Sequence, residues 1–282
     1  MHGTVIARME GDTSTIEVIE YPSLNLSRRP DLAAVAYYAR EMGVHLRQLR
    51  ITLNDGAATI EPGMLQFSHG AISANSQAGG LVGFVKRFFL KKFNKETIFR
   101  TTFTGTGVIY TEPTFDHYLL TRIAPGEEAV VADGRYVASE ASVETGVAVK
   151  NTASSLLFNR DDIVRTSIKG KGWCVVQSPI AASEVIRVDL VDQELRVDGD
   201  LVLLRKGKLT QSVGSPTTDY TGVFTAGEGL VQVYRGTGQL WLAPAEHGYE
   251  HLIDLLQAAG IPYGTPTTRK RTFFQRIQDA FR

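Results

Sequence analysis

Phe103-Thr104-Gly105-Thr106-Gly107-Val108-Ile109-Tyr110 is the first of three related stretches in this chain. The second reads Ile168-Lys169-Gly170-Lys171-Gly172-Trp173-Cys174-Val175, and the third reads Tyr234-Arg235-Gly236-Thr237-Gly238-Gln239-Leu240-Trp241. The first glycines, Gly105, Gly170 and Gly236, are almost evenly spaced along the chain. Their period of about 65 residues is typical of a duplicated structural unit.

The residues that follow each Gly-x-Gly are β-branched or aromatic, which favours a strand. A glycine-rich phosphate loop instead leads into the N-terminus of a helix. We therefore predict that these glycines are structural and serve strand geometry, not phosphate binding. They are Gly105, Gly107, Gly170, Gly172, Gly236 and Gly238.

A second repeated feature precedes each of these stretches at a nearly constant distance. It is a residue followed by glycine, in His69-Gly70, Asp133-Gly134 and Asp198-Gly199. These glycines have the same period as the Gly-x-Gly stretches. Glycine tolerates the positive φ that many tight turns require, so we predict turns at all three places. Asn54-Asp55-Gly56 likewise has the composition of a hairpin turn.

Two features with one period predict a mainly all-β body of three units, residues 49–113, 114–179 and 180–244. One such unit exposes an apolar sheet face that it cannot bury alone, whereas three units about a common axis can. We predict internal pseudo-threefold symmetry and a few short helices. Residues 1–48 are expected to pack on the body as strands and a helix. Residues 245–282 are expected to form a C-terminal helix and a basic amphipathic tail.

The amino-terminal region has its own pattern. Thr4–Arg8 and Thr15–Tyr21 alternate apolar and polar residues, as short strands do. A helix is predicted from the region of Pro30 and Asp31 to Gly43, because proline and aspartate suit a first turn and glycine a C-terminus. Its apolar residues recur at helical spacing and should pack against a sheet. They are Leu32, Val35, Ala36, Ala39 and Met42.

Charge and cysteine content limit the classes of function. Lysine plus arginine and aspartate plus glutamate both number 30, so no global field draws the chain to nucleic acid or anionic lipid. The single cysteine, Cys174, permits no intrachain disulfide and reads as a buried strand residue. The first residues lack a secretory signal pattern and no apolar run is long enough for a membrane span. We expect a cytoplasmic protein that is at most peripheral to a membrane.

Two basic-aromatic segments stand out from the repeats. The first, residues 81–93, places apolar side chains on one half of a helical wheel, with basic side chains mostly at its edges. The second, the tail, has a basic triplet before aromatic residues at helical spacing. Either could bind an anionic membrane or a partner, or could pack on its own body or on another copy. The candidate binding residues are Lys86, Arg87, Phe88, Phe89, Lys91, Lys92, Arg269, Lys270 and Arg271.

One motif suggests metal chemistry. His247-Gly248-Tyr249-Glu250-His251 matches the H-x-x-E-H pattern of inverted zinc peptidases. A zinc site also needs a third ligand from another element, and a glycine lies inside the would-be helix. A metal-dependent hydrolase is therefore a minor hypothesis, and we predict no cofactor and no catalytic residue.

Several stretches together resemble the altered-inheritance-of-mitochondria-24-like family, which is common in bacteria. The resemblance covers roughly residues 30–245. It implies a fold similar to that of the tryptophan-RNA-binding attenuation protein, a double-stranded β-helix-like sandwich, present three times. It implies no established activity, although mitochondrial relatives are linked to inner-membrane organisation. The residues that carry it are Ala36-Tyr37-Tyr38-Ala39 with Met42, Arg47-Gln48-Leu49, Met64-Leu65-Gln66, the run from Gly227 to Gly238, and Leu242-Ala243-Pro244.

These observations favour a non-enzymatic β-scaffold that binds a protein partner or a membrane surface through its basic-aromatic segments. Self-association is a further use of the same segments. The alternative is binding of nucleic acid or a small ligand between the units, which the fold kinship suggests but does not establish.

Overall fold

The structure is a computed structural model that describes residues 3–22, 33–76, 100–148, 165–198, 200–214, 231–246 and 248. The chain forms two compact units, residues 1–243 and residues 244–282. The described part of the first unit is mainly β, with a nearly closed, barrel-like sheet and one short helix. The predicted all-β class is therefore confirmed.

The strands and the helix follow one another in a simple order. Two strands precede α1, Ala33–Glu41, and twelve follow it within the described residues. The strands are β1 Thr4–Glu10, β2 Ser14–Tyr21, β3 Leu46–Ile60, β4 Leu65–Ser76, β5 Thr101–Thr111, β6 His117–Ile123, β7 Glu128–Val131, β8 Tyr136–Glu140, β9 Val143–Ala148, β10 Arg165–Gly170, β11 Gly172–Ser178, β12 Ile186–Val197, β13 Val202–Gly214 and β14 Val231–Leu242.

Two antiparallel sheets are built from these strands. The first sheet has eight strands in the order β1-β2-β3-β8-β11-β6, with β5 also on β3 and β4 on β5. The second sheet has six, in the order β12-β14-β13-β7-β10-β9. The long strand β3 pairs with β5 on one side, and with β2 and then β8 on the other. The predicted amino-terminal strands are thus part of the first sheet.

Every Gly-x-Gly stretch lies in a strand with a neighbour on each side. β5 lies between β3 and β4, and β14 lies between β12 and β13. The second stretch joins two strands: β10 lies between β7 and β9 in the second sheet, and β11 lies between β6 and β8 in the first. Between β10 and β11 the chain passes from the second sheet to the first, and Lys171 is the one residue between these two strands.

Gly70 does not lie in a turn, contrary to the prediction. It is in the middle of β4, where it pairs with Gly107 of β5, and a Cβ added there would lie 2.7 Å from the Gly107 Cα. Gly207 pairs with Gly238 in the same way. The turn between β3 and β4 uses Gly63 (φ +83°), as the turn between β7 and β8 uses Gly134. Gly199 lies outside the described residues.

Asn54-Asp55-Gly56 does not form a hairpin turn either. The three residues lie inside β3 and form a bulge between Leu53 and Gly56, with Asp55 at φ +48°. The Asp55 backbone N–H donates to Thr106 Oγ1 at 3.0 Å. β12 has a bulge at the same kind of place, and there the Asp192 N–H donates to Thr237 Oγ1 at 3.1 Å. In both cases the middle residue of Gly-x-Gly binds the bulge.

The inner faces of the strands form the core. The larger cluster is formed by side chains of the first sheet around Trp173 and includes Ile16, Leu49, Ile51 and Ile109. A smaller cluster lies under β12 to β14 around Tyr234. Cys174 is fully buried, as predicted, and burial raises the pKa of its thiol to about 12. The thiol is therefore protonated and unreactive at neutral pH.

The predicted helix is present, and its C-terminus has the predicted cap. Gly43 adopts φ +69°, the Val44 N–H donates to Ala39 O, and the Gly43 N–H donates to Arg40 O. This pair of bonds is a Schellman motif. Met42, which the helical pattern places on the packed face, is 78% exposed. Among the described residues, no helix has the length and apolar character that crossing a membrane requires.

Candidate functional site

A cleft opens where the β1–β2 turn, the bulge of β3 and the corner between β8 and β9 meet. Its volume is about 500 Å³. Gly105 of β5 contributes bare backbone to its wall, and a Cβ there would lie 2.0 Å from Ala71 O. The lining residues are Asp12, Thr13, Asp55, Gly56, Ala57, Thr104, Gly105, Glu140, Ala141 and Ser142.

Glu140 is held at the base of this cleft and is only 4% exposed. Its Oε1 accepts hydrogen bonds from the Asp12 backbone N–H at 2.9 Å and from Ser14 Oγ at 3.0 Å. Ser14 Oγ in turn accepts from Trp173 Nε1 at 2.9 Å. Gly11 and Gly172 leave room for the carboxyl group, because a Cβ at either would lie under 3 Å from it. The network ties the amino-terminal turn to β8 and β11.

The rim of the cleft is charged. Lys171 Nζ lies 2.8 Å from Asp12 Oδ2, and this contact lowers the pKa of the Asp12 carboxyl. Asp55 adds a second exposed carboxylate at the rim, and Ser142 Oγ donates to Lys171 O at 2.6 Å. The lining contains no histidine or cysteine that could activate a serine. The cleft offers hydrogen-bond acceptors and negative charge, which suit a cationic or hydroxyl-bearing group.

Two arginines link the strand ends from which three long connections leave. Residues 77–99 connect β4 to β5, residues 149–164 connect β9 to β10, and residues 215–230 connect β13 to β14. Arg100, immediately before β5, is 3% exposed and donates from Nη2 to Thr166 Oγ1 of β10 at 3.0 Å. Arg165, at the start of β10, donates to Gln211 Oε1 of β13 at 2.9 Å. The ends of the three connections are thereby joined.

Arg100 also makes contacts within the body. Its Nε lies 3.2 Å from Glu61 Oε2, and its guanidinium carbon lies 4.2 Å from the centre of the Tyr136 ring. Tyr136 Oη is hydrogen-bonded to Ser139 Oγ at 2.9 Å, and burial raises the pKa of the tyrosine. A buried cation is thus held by a carboxylate and an aromatic face together.

The predicted binding residues lie outside the described residues. This is so for the first segment, Lys86, Arg87, Phe88, Phe89, Lys91 and Lys92, and for Arg269, Lys270 and Arg271 of the tail. It is also so for His247, Tyr249, Glu250 and His251 of the H-x-x-E-H motif. Within the described ranges, no group of three or more histidine, cysteine, aspartate or glutamate side chains is placed to hold a metal ion.

Sequence reasoning missed Glu140, Arg100 and the cleft. A glutamate at the end of a short strand reads as a solvated charge, and its partners Asp12 and Ser14 lie far away in the chain. Arg100 directly follows a segment rich in lysine and phenylalanine, and its composition does not separate it from that segment. The only local signal was Gly11-Asp12-Thr13-Ser14, whose composition indicates a turn but not the contact of that turn with Glu140.

A family model matches most of the chain, and solved structures share its fold. The family model AIM24, described as mitochondrial biogenesis AIM24, matches residues 40–245. No curated protein matches the chain. Seven solved chains match, among them protein SPYM3_0169 from Streptococcus pyogenes, a structural genomics target. It is 16% identical with a TM-score of 0.52, and the match covers 77% of this chain and 94% of that one. At this identity the likeness concerns the fold alone.

Proposed function

The chain belongs to the AIM24 family, and on that premise we propose that it is a non-enzymatic β-scaffold. Its basic-aromatic segments, residues 81–93 and 269–282, bind an anionic membrane surface or a protein partner. The observation that carries the proposal is the arginine linkage at the strand ends. Arg100 and Arg165 fasten the ends of the three long connections to one another through Thr166 and Gln211.

This linkage anchors the start of β5, the strand that follows the first segment, to β10. Residues 77–99 are bounded by β4 and β5, and β5 pairs along its length with both β3 and β4. The whole chain has no excess of positive charge, since it carries 30 basic and 30 acidic side chains. Attraction to an anionic surface must therefore come from local clusters. Lys86, Arg87, Lys91 and Lys92 are one such cluster.

Vesicle flotation tests the membrane form of the proposal. The full chain is floated with vesicles of neutral lipid alone and with vesicles that contain anionic lipid. Binding is expected only to the anionic vesicles, and it should weaken as salt is added. Reversal of Lys86, Arg87, Lys91 and Lys92 to glutamate should abolish it. A matched control reverses four exposed basic residues of the body, Arg8, Arg40, Lys169 and Lys208, and should still bind.

Each outcome of the flotation has a clear meaning. Equal loss in the two reversed variants would assign the binding to net charge and not to the segment. No binding by the unmodified chain removes the membrane form and leaves the protein-partner form. That form predicts that the reversed segment, but not the control, loses a partner captured by the unmodified chain.

We also propose that residues 49–244 are three copies of one unit with pseudo-threefold symmetry. Each unit has a first, a second and a third strand, and the third, which carries Gly-x-Gly, lies between the other two. These are β3, β4 and β5 in the first unit, β6–β7, β8–β9 and β10–β11 in the second, and β12, β13 and β14 in the third. Three bulges support this, because the register shifts next to Phe67, Ala138 and Leu204. Each of these residues lies opposite the third residue after the second glycine, which is Tyr110, Val175 or Trp241. Kinship with the tryptophan-RNA-binding attenuation protein is part of this proposal.

A second candidate function is the binding of a small ligand between the first two units. The cleft of about 500 Å³ favours it, since it lies between strands of the two units. Asp12, Asp55 and Glu140 in the lining disfavour a phosphate-bearing ligand or nucleic acid there. Filter binding of RNA and DNA over a salt series tests the nucleic-acid form, which requires binding that falls steeply with salt.

The minor candidate, a metal-dependent hydrolase at His247 and His251, is tested separately. Elemental analysis of freshly purified protein should then find zinc in a one-to-one ratio. Protein free of zinc would remove it.

A further inference from the structure

The walls of the cleft are held together by main-chain hydrogen bonds. The Asn54 N–H donates to Thr13 O at 3.0 Å, which fixes the β1–β2 turn to the bulge of β3. The Ala141 N–H donates to Ala57 O at 3.1 Å, which fixes the corner after β8 to β3. These bonds join the three parts of the chain that meet at the cleft. The cleft is therefore formed before any ligand binds, as small-molecule sites usually are.

Glu140 brings a carboxylate into this cleft without a cationic partner. The residue is 4% exposed, and its Oε1 already accepts from the Asp12 N–H and from Ser14 Oγ. Its Oε2 accepts no hydrogen bond from the described part of the chain, and no lysine or arginine there forms an ion pair with either oxygen. Oε2 is not sealed, since it is not among the fully buried polar atoms that lack a partner. Because Glu140 lines the cleft, this oxygen is open to it.

A carboxylate in such a position needs compensation for the water it has lost. Removing a charge from water costs free energy unless an opposite charge or enough hydrogen bonds replace the water. An ionised carboxylate offers about four acceptor sites, and the two neutral donors on Oε1 fill only some of them. A positively charged ligand group at Oε2 would complete the set.

The charges around the cleft also favour a cation. The lining contains three carboxylates, those of Asp12, Asp55 and Glu140. Lys171 Nζ lies 2.8 Å from Asp12 Oδ2, and Arg122 lies within electrostatic range of the same carboxyl. These two basic residues act on Asp12. The negative charge of Asp55 and Glu140 therefore remains for a ligand.

The single open oxygen of Glu140 selects the kind of cation. A guanidinium binds a carboxylate best through two parallel hydrogen bonds, which require both oxygens. Oε1 is occupied, so Glu140 offers only Oε2. A primary ammonium is a compact charge with three N–H donors, and one oxygen is sufficient to hold it. A metal ion fits less well, because no group of three or more ligand side chains within the described ranges is placed to hold one.

We propose that the cleft binds the primary ammonium group of an aliphatic amine, with Glu140 Oε2 as the anchoring acceptor. Asp55 at the rim attracts the same charge, or the second ammonium of a diamine. Free amines and lysine side chains both carry this group, and titration with one compound of each kind separates the two sources. The inference rests on the second candidate function, binding of a small ligand in the cleft, and not on the basic segments.

Titration calorimetry of the full chain with three compounds tests the proposal. Butane-1,4-diamine should bind, whereas butane-1,4-diol, which has the same length and no charge, should not. Nα-acetyl-lysine amide presents a lysine ammonium alone. Tighter binding of this compound than of the diamine supports a lysine side chain as the source, and weaker binding supports a free amine. In amide NMR spectra, bound diamine should shift the signals of Gly56 and Gly105, which line the cleft.

Glu140→Gln removes the charge and keeps the hydrogen bonds of Oε1. The Asp12 N–H and the Ser14 hydroxyl both donate, so they hold the amide oxygen on their side. The amide NH2 group then takes the position of Oε2 and repels an ammonium. This variant should bind the diamine at least about tenfold more weakly. Without diamine it should resist urea at least as well as the unmodified chain, because it buries no charge.

Two further variants complete the test. Glu144→Gln removes an exposed carboxylate of β9 that does not line the cleft, and it should bind the diamine like the unmodified chain. Asp55→Asn should weaken binding by about two- to fivefold, because the rim charge is partly screened by water and salt. Asparagine tolerates the left-handed backbone at this position, φ +48°. Asp55→Asn therefore tests the charge of the cleft even if Glu140→Gln does not fold.

Four outcomes would overturn the proposal. Equal binding of the diamine and the diol would mean that the cleft does not select an ammonium group. Equal weakening by Glu140→Gln and Glu144→Gln would assign the binding to net charge. No binding of either amine at millimolar concentration would exclude the site for ammonium groups. Binding of the diol alone would retain the second candidate function while this inference fails, so the two failures can be told apart.

Discussion

Among the described glycines, Gly105 has the tightest surroundings. It adopts φ +129°, and an added Cβ would lie 2.0 Å from the backbone carbonyl oxygen of Ala71. A backbone oxygen cannot move aside as a side-chain tip can. We expect Gly105→Ala to lower the free energy of unfolding by about 2–4 kcal/mol, as measured by urea denaturation.

Gly63→Ala is the matched control for this substitution. Gly63 also has a positive φ, +83°, but nothing lies within 4 Å of its added Cβ. It should lose only the backbone term, about 1–2 kcal/mol. If the two variants lost the same stability, the contact with Ala71 would carry no cost and the close approach would not explain Gly105.

The lowered pKa of His117 leads to a prediction of how the stability of the fold depends on pH. Burial, and then the nearby Arg47, lower its pKa from the usual 6.5, although Glu184, Glu20 and Asp116 act in the opposite direction. The unfolded chain therefore takes up a proton before the folded one does. The stability that belongs to neutral His117 is complete above pH 6.5 and is lost as the pH falls from there toward the folded pKa.

We expect His117→Gln to lose less stability than the unmodified chain between pH 7.5 and pH 5.5. Urea denaturation at the two pH values measures the difference. Other groups titrate in both proteins alike, so the comparison isolates the histidine. A parallel loss in both proteins would show that its proton uptake is not linked to folding.

At the residue scale, sequence reasoning recovered what depends on neighbours in the chain. Gly43 as a helix end and Cys174 as a core residue both follow from local pattern. Composition predicts turns at Gly70 and Asp55, because a residue pair such as His-Gly or Asp-Gly suits a turn. In the fold each of them lies inside a strand, Gly70 in β4 and Asp55 in β3. The glycine at each place allows another part of the backbone to approach closely instead. That role depends on a strand that is distant in the sequence, which local composition does not report.

Arg100 decides how the strand β5 is anchored. Its guanidinium meets Glu61, Thr166 and the face of Tyr136, and the residue is 3% exposed. We expect Arg100→Met to lower the free energy of unfolding by about 1–3 kcal/mol. Arg100→Lys should lose nearly as much, because a lysine keeps the charge but not the planar contacts.

An exposed arginine provides the comparison. Arg40 on α1 pairs with its neighbour Glu41 and lies over the Tyr37 ring, and the side chains of Arg40 and Glu41 are both more than half exposed. Arg40→Met should change stability by less than about 0.5 kcal/mol in the same urea denaturation. A similar loss in both variants would argue against a special role for Arg100.

At the scale of elements, periodicity recovered the type of element well and its packed face less well. β1, β2 and α1 lie where alternation and helical spacing predict them. The helical pattern predicts a fully packed apolar stripe on α1, yet Met42 is 78% exposed and Tyr38, beside the stripe, is 64% exposed. The described helix is Ala33–Glu41, so Met42, the last residue of the predicted stripe, lies past its C-terminal end.

The two sheets of residues 1–243 are connected by an almost continuous strand, which consists of β10 and β11. β10 belongs to the second sheet and β11 to the first, and only Lys171 separates them. A fluctuation that opens one sheet therefore pulls on the other. We expect the buried amides of Ile168 and Val175, one from each sheet, to exchange with the same opening free energy in native-state hydrogen exchange.

An amide of the edge strand β12 is the internal reference for this measurement. The N–H of Val191, which is 73% exposed, should exchange through a smaller local opening. Separate isotherms for Ile168 and Val175 that do not merge as denaturant is added would mean that the sheets unfold independently.

For the whole molecule, the strand patterns along the sequence were sufficient to indicate a mainly β body. They were not sufficient to place the candidate site. The cleft needs Asp12, Asp55 and Glu140 together, and these come from parts of the chain that share no pattern. The predicted binding segments lie outside the described residues, so their assignment stays a prediction.

The bond from Trp173 to Ser14 also bears on how the protein is made. It joins residues 159 positions apart, and Glu140 reaches back 126 positions to the same serine. During synthesis the amino-terminal hairpin leaves the ribosome first, but Trp173 emerges only after more than half of the chain has been translated. The hairpin can pair early with β3, which is close in sequence, yet it cannot be locked in place until β11 arrives. The earliest part of the chain to appear is thus among the last to become native.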